Sequence, residues 1–435
     1  SSSGRNGRMT MDTLALHSAT SPREGSKTRC RFCGSTALDS FIDLGMSPLC
    51  ESYVPPERLN APEVFYPLHA LVCRDCLLVQ LDQYVSASDI FSDYAYFSSY
   101  SDSWVEHARR YALHMIETFG IGASSKVVEI ASNDGYLLQH FVANGVPVLG
   151  VEPAANVAKV AKEKGIPTEV RFFGRATAED VRQQYGPATL LLGNNVLAHV
   201  PDLNDFVAGM KVLLADGGII TMEFPHLAKL IEFNQFDTIY HEHFCYFSLF
   251  AVEQVFKAHG MRLFDVAELP THGGSLRIYA CHEDDVSRAD SERLAGLRAW
   301  ERANGFDRLE TYTGFEEKVR ETKRKLLEFL ITARREGKTV VGYGAPGKGN
   351  TLLNYCGIRQ DLLDYTVDRS PHKQGLFLPG THIPIFHPDK IKETRPDFVL
   401  ILPWNIQEEI IAQLAYVREW GARFVVPIPE AAVLP

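Results

Sequence analysis

Two Cys-x-x-Cys pairs constrain this chain more than any other local feature. Cys30 and Cys33 lie in "CRFCG", and Cys73 and Cys76 in "VCRDC". A two-residue spacer lets both sulfurs of one turn face a single ion, and two such turns make the tetrahedral thiolate set that zinc prefers. Gly34 after the first pair suits the tight knuckle turn. A four-cysteine site is closed, so this zinc is expected to be structural. It can hold together a small β-rich module, expected over 28–90, that has too little core of its own. Neither pair opens a strand-to-helix unit, which weakens a redox interpretation. Eight cysteines in a long chain with no signal core favour metal binding or burial over disulfides.

The chain has 435 residues, too many for one core, and two to three domains are expected. The first 27 residues lack a hydrophobic signal core. They read as a flexible tail or tag remnant, with Met9 or Met11 as a native start, which points to the cytoplasm. No apolar run approaches a membrane span. The net charge is −10, against the basic surface that a phosphate backbone needs, so neither nucleic acid nor membrane is an expected partner.

The segment "SKVVEIASNDGYLLQHFVANGVPVLGVEP" reads as strand, turn, helix and strand. Its turn has the form E-x-A-x-N-x-G, from Glu129, Ala131, Asn133 and Gly135. That differs from the G-x-G-x-x-G of dinucleotide sites. S-adenosylmethionine has no pyrophosphate and needs no three-glycine cradle, so it is the expected cofactor. Glu152, at the tip of the second strand, sits where a ribose diol is held. Further strands end at Asn194-Asn195 and at Glu223, and alternating β and α segments imply a parallel sheet with helices on both faces. His199 and His226 also fall near strand ends, where ligands bind, although each alone could be a cap or a satisfied polar group.

Downstream, "FDTIYHEHFCYFS" gathers Asp237, Tyr240, His241, Glu242 and His243 among aromatic residues. The i, i+4 histidine spacing of a helical zinc site is absent. Acid–base chemistry fits better, because a neutral imidazole in an apolar wall is a good base near pH 7. A packed structural triad is the alternative. An earlier aromatic cluster, with Tyr94, Tyr96 and Tyr100, could lid the same crevice. At the rear, "FEEKVRETKRKLLEFLITARREGK" is an amphipathic helix. "TVVGYGAPGKGNTLLNYCG" is strand, Gly-rich turn and helix, with Lys348 able to meet a phosphate and Asp368 only loosely placed as a ribose acid.

These motifs together resemble the sugar C-methyltransferases that act at C-3′ of nucleotide-linked 4-keto deoxysugars. The resemblance runs from about Cys30 to the C-terminus. It rests on the cysteine pairs, "VVEIASNDGYLL", "FDTIYHEHFCYFS", "THGGSLRIYA" and "VVGYGAPGKGNTLLN". It implies an α/β chain with a zinc module, a Rossmann-like methyltransferase domain over 91–285, and a helical connector with a C-terminal Rossmann-like domain over 286–435. It implies His243 as general base, supported by Tyr240 and Glu242, with a sugar-facing tyrosine at Tyr94 or Tyr96. The donor would meet Glu129, Ala131, Asn133, Gly135, Glu152, Asn194 and Asn195. A dTDP-linked substrate would meet His199, His241, Lys348 and Asn350. The rear domain would help bind the nucleotide, although a second cofactor or a degenerate repeat of the first sheet is also compatible with its turn. An NAD(P)-dependent sugar oxidoreductase and a non-enzymatic zinc-ribbon protein are the competing functions. Monomer and homodimer are both open.

Overall fold

The computed structural model describes residues 28–86 and 98–435. Tyr94, Tyr96 and the tail 1–27 lie outside the described residues.

The chain builds three sheets. The first joins β1 (Leu38–Ser47), β2 (Tyr66–Cys73), β3 (Val79–Leu81) and β9 (Cys245–Tyr246). All its pairings are antiparallel. The fourth strand comes from the His-rich motif itself: Val79 pairs with Tyr246 and Gln80 with Cys245.

The second sheet carries β4 (Val127–Ile130), β5 (Val148–Val151), β6 (Thr168–Glu169), β7 (Ala188–Asn194) and β8 (Leu214–Pro225). It continues with β10 (Met261–Leu269) and β11 (Ser275–His282). The order is β10-β11-β8-β7-β4-β5-β6, parallel from β8 to β6, with β11 antiparallel to β8. All four residues of β4 are buried, as a strand covered by helices on both faces must be. Each buried Val or Ile there contributes about 1.5–3 kcal/mol. The helix Asp102–Phe119 is started by the Ser101 hydroxyl, which accepts from Trp104 N. Its Tyr111 and Met115 sink into the core beneath β4.

The third sheet has β12 (Val340–Tyr343), β13 (Thr366–Val367), β14 (Ile385–Phe386), β15 (Phe398–Ile401), β16 (Arg423–Val426) and β17 (Ala432–Val433). Its order is β14-β13-β12-β15-β16-β17, parallel except for β17. The expected amphipathic helix runs over Phe315–Arg335. It buries Phe315, Val319, Thr322, Leu326 and Leu330 along one stripe, the spacing of a single helical face. Phe315 stacks on Phe41 of β1, with ring centroids 4.8 Å apart and planes 11° from parallel. One hydrophobic core thus runs from the front module into the rear domain. Among the described residues, no helix is long and apolar enough to cross a membrane.

Candidate active site and metal centre

The four front cysteines converge. Their sulfurs all lie within 4.8 Å of one another, with Cys30 and Cys76, and Cys33 and Cys73, each 3.5 Å apart. Cys30, Cys73 and Cys76 are buried and Cys33 is exposed. Cys30 N–H donates to Ser35 O and Gly34 N–H to Cys30 O, which shapes the first knuckle. Four sulfurs at this spacing fit one tetrahedral zinc ion.

The donor crevice forms at the carboxyl end of β4. Ala131, Asn133 and Gly135 all have positive φ, so the turn folds tightly back on itself. Gly135 has a φ of 78°, which disfavours a Cβ, and a Cβ there would lie 2.3 Å from Ile166 Cδ1. Glu152 braces the loop: its carboxylate accepts from Asn133 N at 2.9 Å and Ala154 N at 2.8 Å. The Asn133 side chain accepts from Ser98 N and Asp134 N, tying the segment after the aromatic stretch to the loop. Glu129 is fully buried, neither carboxylate oxygen has a hydrogen-bond partner among the described residues, and burial pushes its pKa well up. Both side-chain polar atoms of Asn194 are likewise unpaired. Orphaned polar groups beside this tight turn fit a polar ligand such as S-adenosylmethionine.

His243 stands next to this crevice. Phe244 N–H donates to Ala198 O at 2.7 Å, which places the motif against the turn that follows β7. The His243 ring lies 4.6 Å from His199 and 4.1 Å from Tyr240, centroid to centroid. Its Nδ1 is 3.0 Å from the Thr238 carbonyl. A carbonyl can only accept, so Nδ1 carries the proton and Nε2 the lone pair. Nε2 is buried with no hydrogen-bond partner among the described residues. Burial, then the neighbouring His199, holds His243 well below the usual imidazole range. Burial also lowers His199 to about 4. Glu242 goes the other way: burial and the Glu51 carboxylate push it up to about 7.

His241 points elsewhere. Its Nε2 lies 3.1 Å from Pro67 O, and its ring packs edge-on against Tyr66 and Tyr84 in the front module. It does not join the ring cluster around His243.

The rear domain closes the crevice. Lys348 Nζ donates to Asn405 Oδ1 at 2.7 Å and lies 4.6 Å from the Trp404 ring. Burial lowers its pKa, while Asp237 opposes that shift. Trp404 Nε1 donates to Asp237 Oδ2 at 2.7 Å. Asn350 Nδ2 donates to Cys50 O at 2.6 Å, so that side chain joins front module to rear helix. At the rear turn, Asp368 accepts from Ala345 N at 2.7 Å and Ser370 N at 2.8 Å, much as Glu152 braces its own loop. Tyr53 Oη and Lys373 Nζ both donate to Ala345 O, so the front module covers this turn.

In the sequence Trp404 carries no motif spacing, Cys50 is unpaired by spacing and reads as a small buried residue, and His272 falls inside "THGGSLRIYA" without a role of its own. Asp237 stands in "FDTIYHEHFCYFS" with no separate role legible. Periodicity shows a strand ending before Pro403, yet only the fold reveals that Trp404 reaches across to Asp237.

A family model described as "Methyltransferase domain" matches residues 104–266. One described as "C-methyltransferase C-terminal domain" matches 270–429, and one described as "Putative zinc binding domain" matches 30–91. The C-methyltransferase NovU of Streptomyces niveus is 36% identical over 408 residues, 93% of this chain and 96% of that protein. Among solved structures, the YcgJ protein of Bacillus subtilis shares 13% identity, covering 41% of this chain and 99% of that one, at a TM-score of 0.34. Magnesium protoporphyrin IX methyltransferase of Synechocystis PCC 6803 shares 12%, covering 40% and 78%, at 0.31.

The methyltransferase domain and the four-sulfur cluster are those of an S-adenosylmethionine-dependent methyltransferase with a zinc-binding module. The chain belongs to the C-methyltransferase family, whose relative NovU it matches almost from end to end.

Proposed function

We propose that this enzyme methylates C-3′ of a dTDP-linked 4-keto deoxysugar in the cytoplasm, with His243 as the base. The observation that carries this reading is the unpartnered Nε2 of His243, its tautomer set by the Thr238 carbonyl. Carbon is a poor nucleophile, and forming a bond to it requires a carbanion or enolate. A ketone acidifies the neighbouring C–H, and a buried neutral imidazole can take that proton.

His243 Nε2 removes the C-3′ proton, and the electron pair delocalises onto the ketone oxygen. Bound S-adenosylmethionine supplies the electrophilic methyl carbon, which leaves sulfur as the new C–C bond forms. Tyr240, or a tyrosine of the 94–96 stretch, donates a hydrogen bond to the developing oxyanion. Glu242 binds a sugar hydroxyl. Lys348 and Asn350 take the nucleotide end, with the Lys348 ammonium on the diphosphate. The buried rings of Phe236, Phe244 and Phe247 exclude water, so the enolate is methylated before it is reprotonated.

The test is incubation of zinc-loaded enzyme with a dTDP-4-keto-6-deoxyhexose and methyl-labelled S-adenosylmethionine. Label on C-3′ supports the proposal. Label on oxygen, or none with folded protein, rejects it.

A further inference from the structure

His272 is absent from every role assigned above, yet it is held in an unusual way. It occupies the turn Thr271–Gly273 between β10 and β11, with φ of 54° and ψ of 23°. That left-handed conformation is costly for a residue with a Cβ and persists only where the surroundings enforce it.

Here they do. Thr271 Oγ1 donates to Glu223 Oε1 at 3.0 Å, and Ser275 Oγ to Thr271 O at 2.9 Å. Gln235 Nε2 donates to Gly273 O at 2.7 Å. Glu223 is itself locked by His107 and by Arg277. Burial alone would raise its carboxyl, but the hydrogen bond to His107 and the Arg277 guanidinium hold it down at about 2. A Cβ on Gly273 would lie 2.5 Å from Trp404 Cη2, so the turn is pressed against the rear domain as well. The His272 ring meets Trp104 edge-on at 5.3 Å.

So much bracing delivers one buried nitrogen. His272 Nε2 is closed to solvent and has no hydrogen-bond partner among the described residues, while the residue as a whole is half-buried. The turn abuts Trp404, whose Nε1 donates to Asp237 of the His243 motif, and a charge on His272 would be felt at both His199 and His243. Burial and the Lys348 ammonium keep its imidazole neutral, at about 4. Neutral imidazole is a competent hydrogen-bond donor to a ketone and does not quench a neighbouring base, as a cation would.

We propose that His272 is a second imidazole of the reaction centre, whose Nε2–H hydrogen-bonds the substrate ketone oxygen and holds the negative charge formed when His243 removes the adjacent proton. It complements the tyrosine donor, making a two-donor oxyanion site. No group is transferred to His272: it keeps its proton, and the charge returns to the C=O bond as the new C–C bond forms. The assignment rests on the keto-sugar reading.

The test compares wild type, His272→Ala and His272→Asn as zinc-loaded full-length enzymes. Asparagine tolerates left-handed φ and keeps an N–H donor. Turnover is measured with dTDP-4-keto-6-deoxyhexose, alongside deuterium exchange at C-3′ in D2O without methyl donor and affinity for S-adenosylhomocysteine. His272→Ala is expected to lower kcat by about 10²–10³-fold, to slow exchange in parallel, and to leave S-adenosylhomocysteine affinity within about twofold. His272→Asn should recover about tenfold of that loss. Turnover and exchange in His272→Ala close to wild type overturn the assignment. So does an equal loss in both variants accompanied by lost S-adenosylhomocysteine affinity, which marks a structural turn. Wild-type enzyme that neither exchanges nor methylates this sugar removes the keto-sugar reading and the assignment together. Wild-type activity with an indifferent His272 removes the assignment alone.

Discussion

The Nδ1 of His243 donates to the backbone carbonyl of Thr238 across 3.0 Å, five residues back along the same motif. That bond fixes the tautomer and leaves Nε2 as the only basic nitrogen of the ring. The motif also supplies β9 to the front module, so His243 is held between a 3-10 turn that begins at Phe236 and a strand that begins at Cys245. His243 is thus packed between the four-cysteine module, through β3 and β9, and the turn after β7, through Phe244 N–H on Ala198 O.

The pH dependence follows from burial. An ordinary imidazole is half protonated near pH 6.5, but burial and His199 hold His243 well below that range. Protonation inactivates the base, so a lowered pKa moves the acid limb of the profile to lower pH. The expected result is that the His243-dependent fall in kcat/KM begins well below pH 6.5, measured as the difference between the profiles of wild type and a slow His243→Gln variant.

The zinc site should act on the fold first. β3 starts three residues after Cys76 and pairs directly with β9. Cys73→Ser should lose the metal and lower the melting temperature by at least about 5 °C. Metal analysis alongside calorimetry checks this, and unchanged zinc content would refute the four-thiolate assignment.

Glu152 accepts two backbone N–H bonds that set the donor loop. Glu152→Ala leaves both amides without their acceptor, a loss of about 1.5–3 kcal/mol for bonds to a charged group. S-adenosylhomocysteine should bind about 10–100-fold more weakly by titration calorimetry.

Much of this arrangement is legible in the sequence, for physical reasons. A four-residue buried strand followed by small polar residues and Gly135 announces a tight βα turn, and the cysteine spacing carries its own geometry. The partners of His241 are not legible, because Pro67, Tyr66 and Tyr84 lie far away in the chain and the motif puts His241 and His243 side by side. Only the pairing of β9 with β3 sends one ring into the zinc module and the other into the crevice. The contacts of Trp404 and His272 are not legible for a similar reason: the His272 turn and the Trp404 loop meet only once the second and third sheets are assembled.

Trp404 gives a test of that interlocking. Trp404→Phe keeps most of the ring but removes the N–H donor to the buried Asp237 carboxylate. Burial already raises Asp237 to about 6 against the pull of Lys348, and losing the donor raises it further. The variant should lose about 1–3 kcal/mol of stability and show a severalfold higher KM for the nucleotide sugar. S-adenosylhomocysteine affinity should stay unchanged, as read by steady-state kinetics and titration.

The central claim is that His243 creates a carbanion before any methyl moves. The most direct measurement is NMR of a dTDP-4-keto-6-deoxyhexose incubated in D2O with S-adenosylhomocysteine-bound enzyme, wild type against His243→Asn. Wild type should wash deuterium into C-3′, and His243→Asn should slow this by about 10²–10⁴-fold while still binding S-adenosylhomocysteine. Exchange at equal rates in the two proteins would contradict the account and take the role of base away from His243.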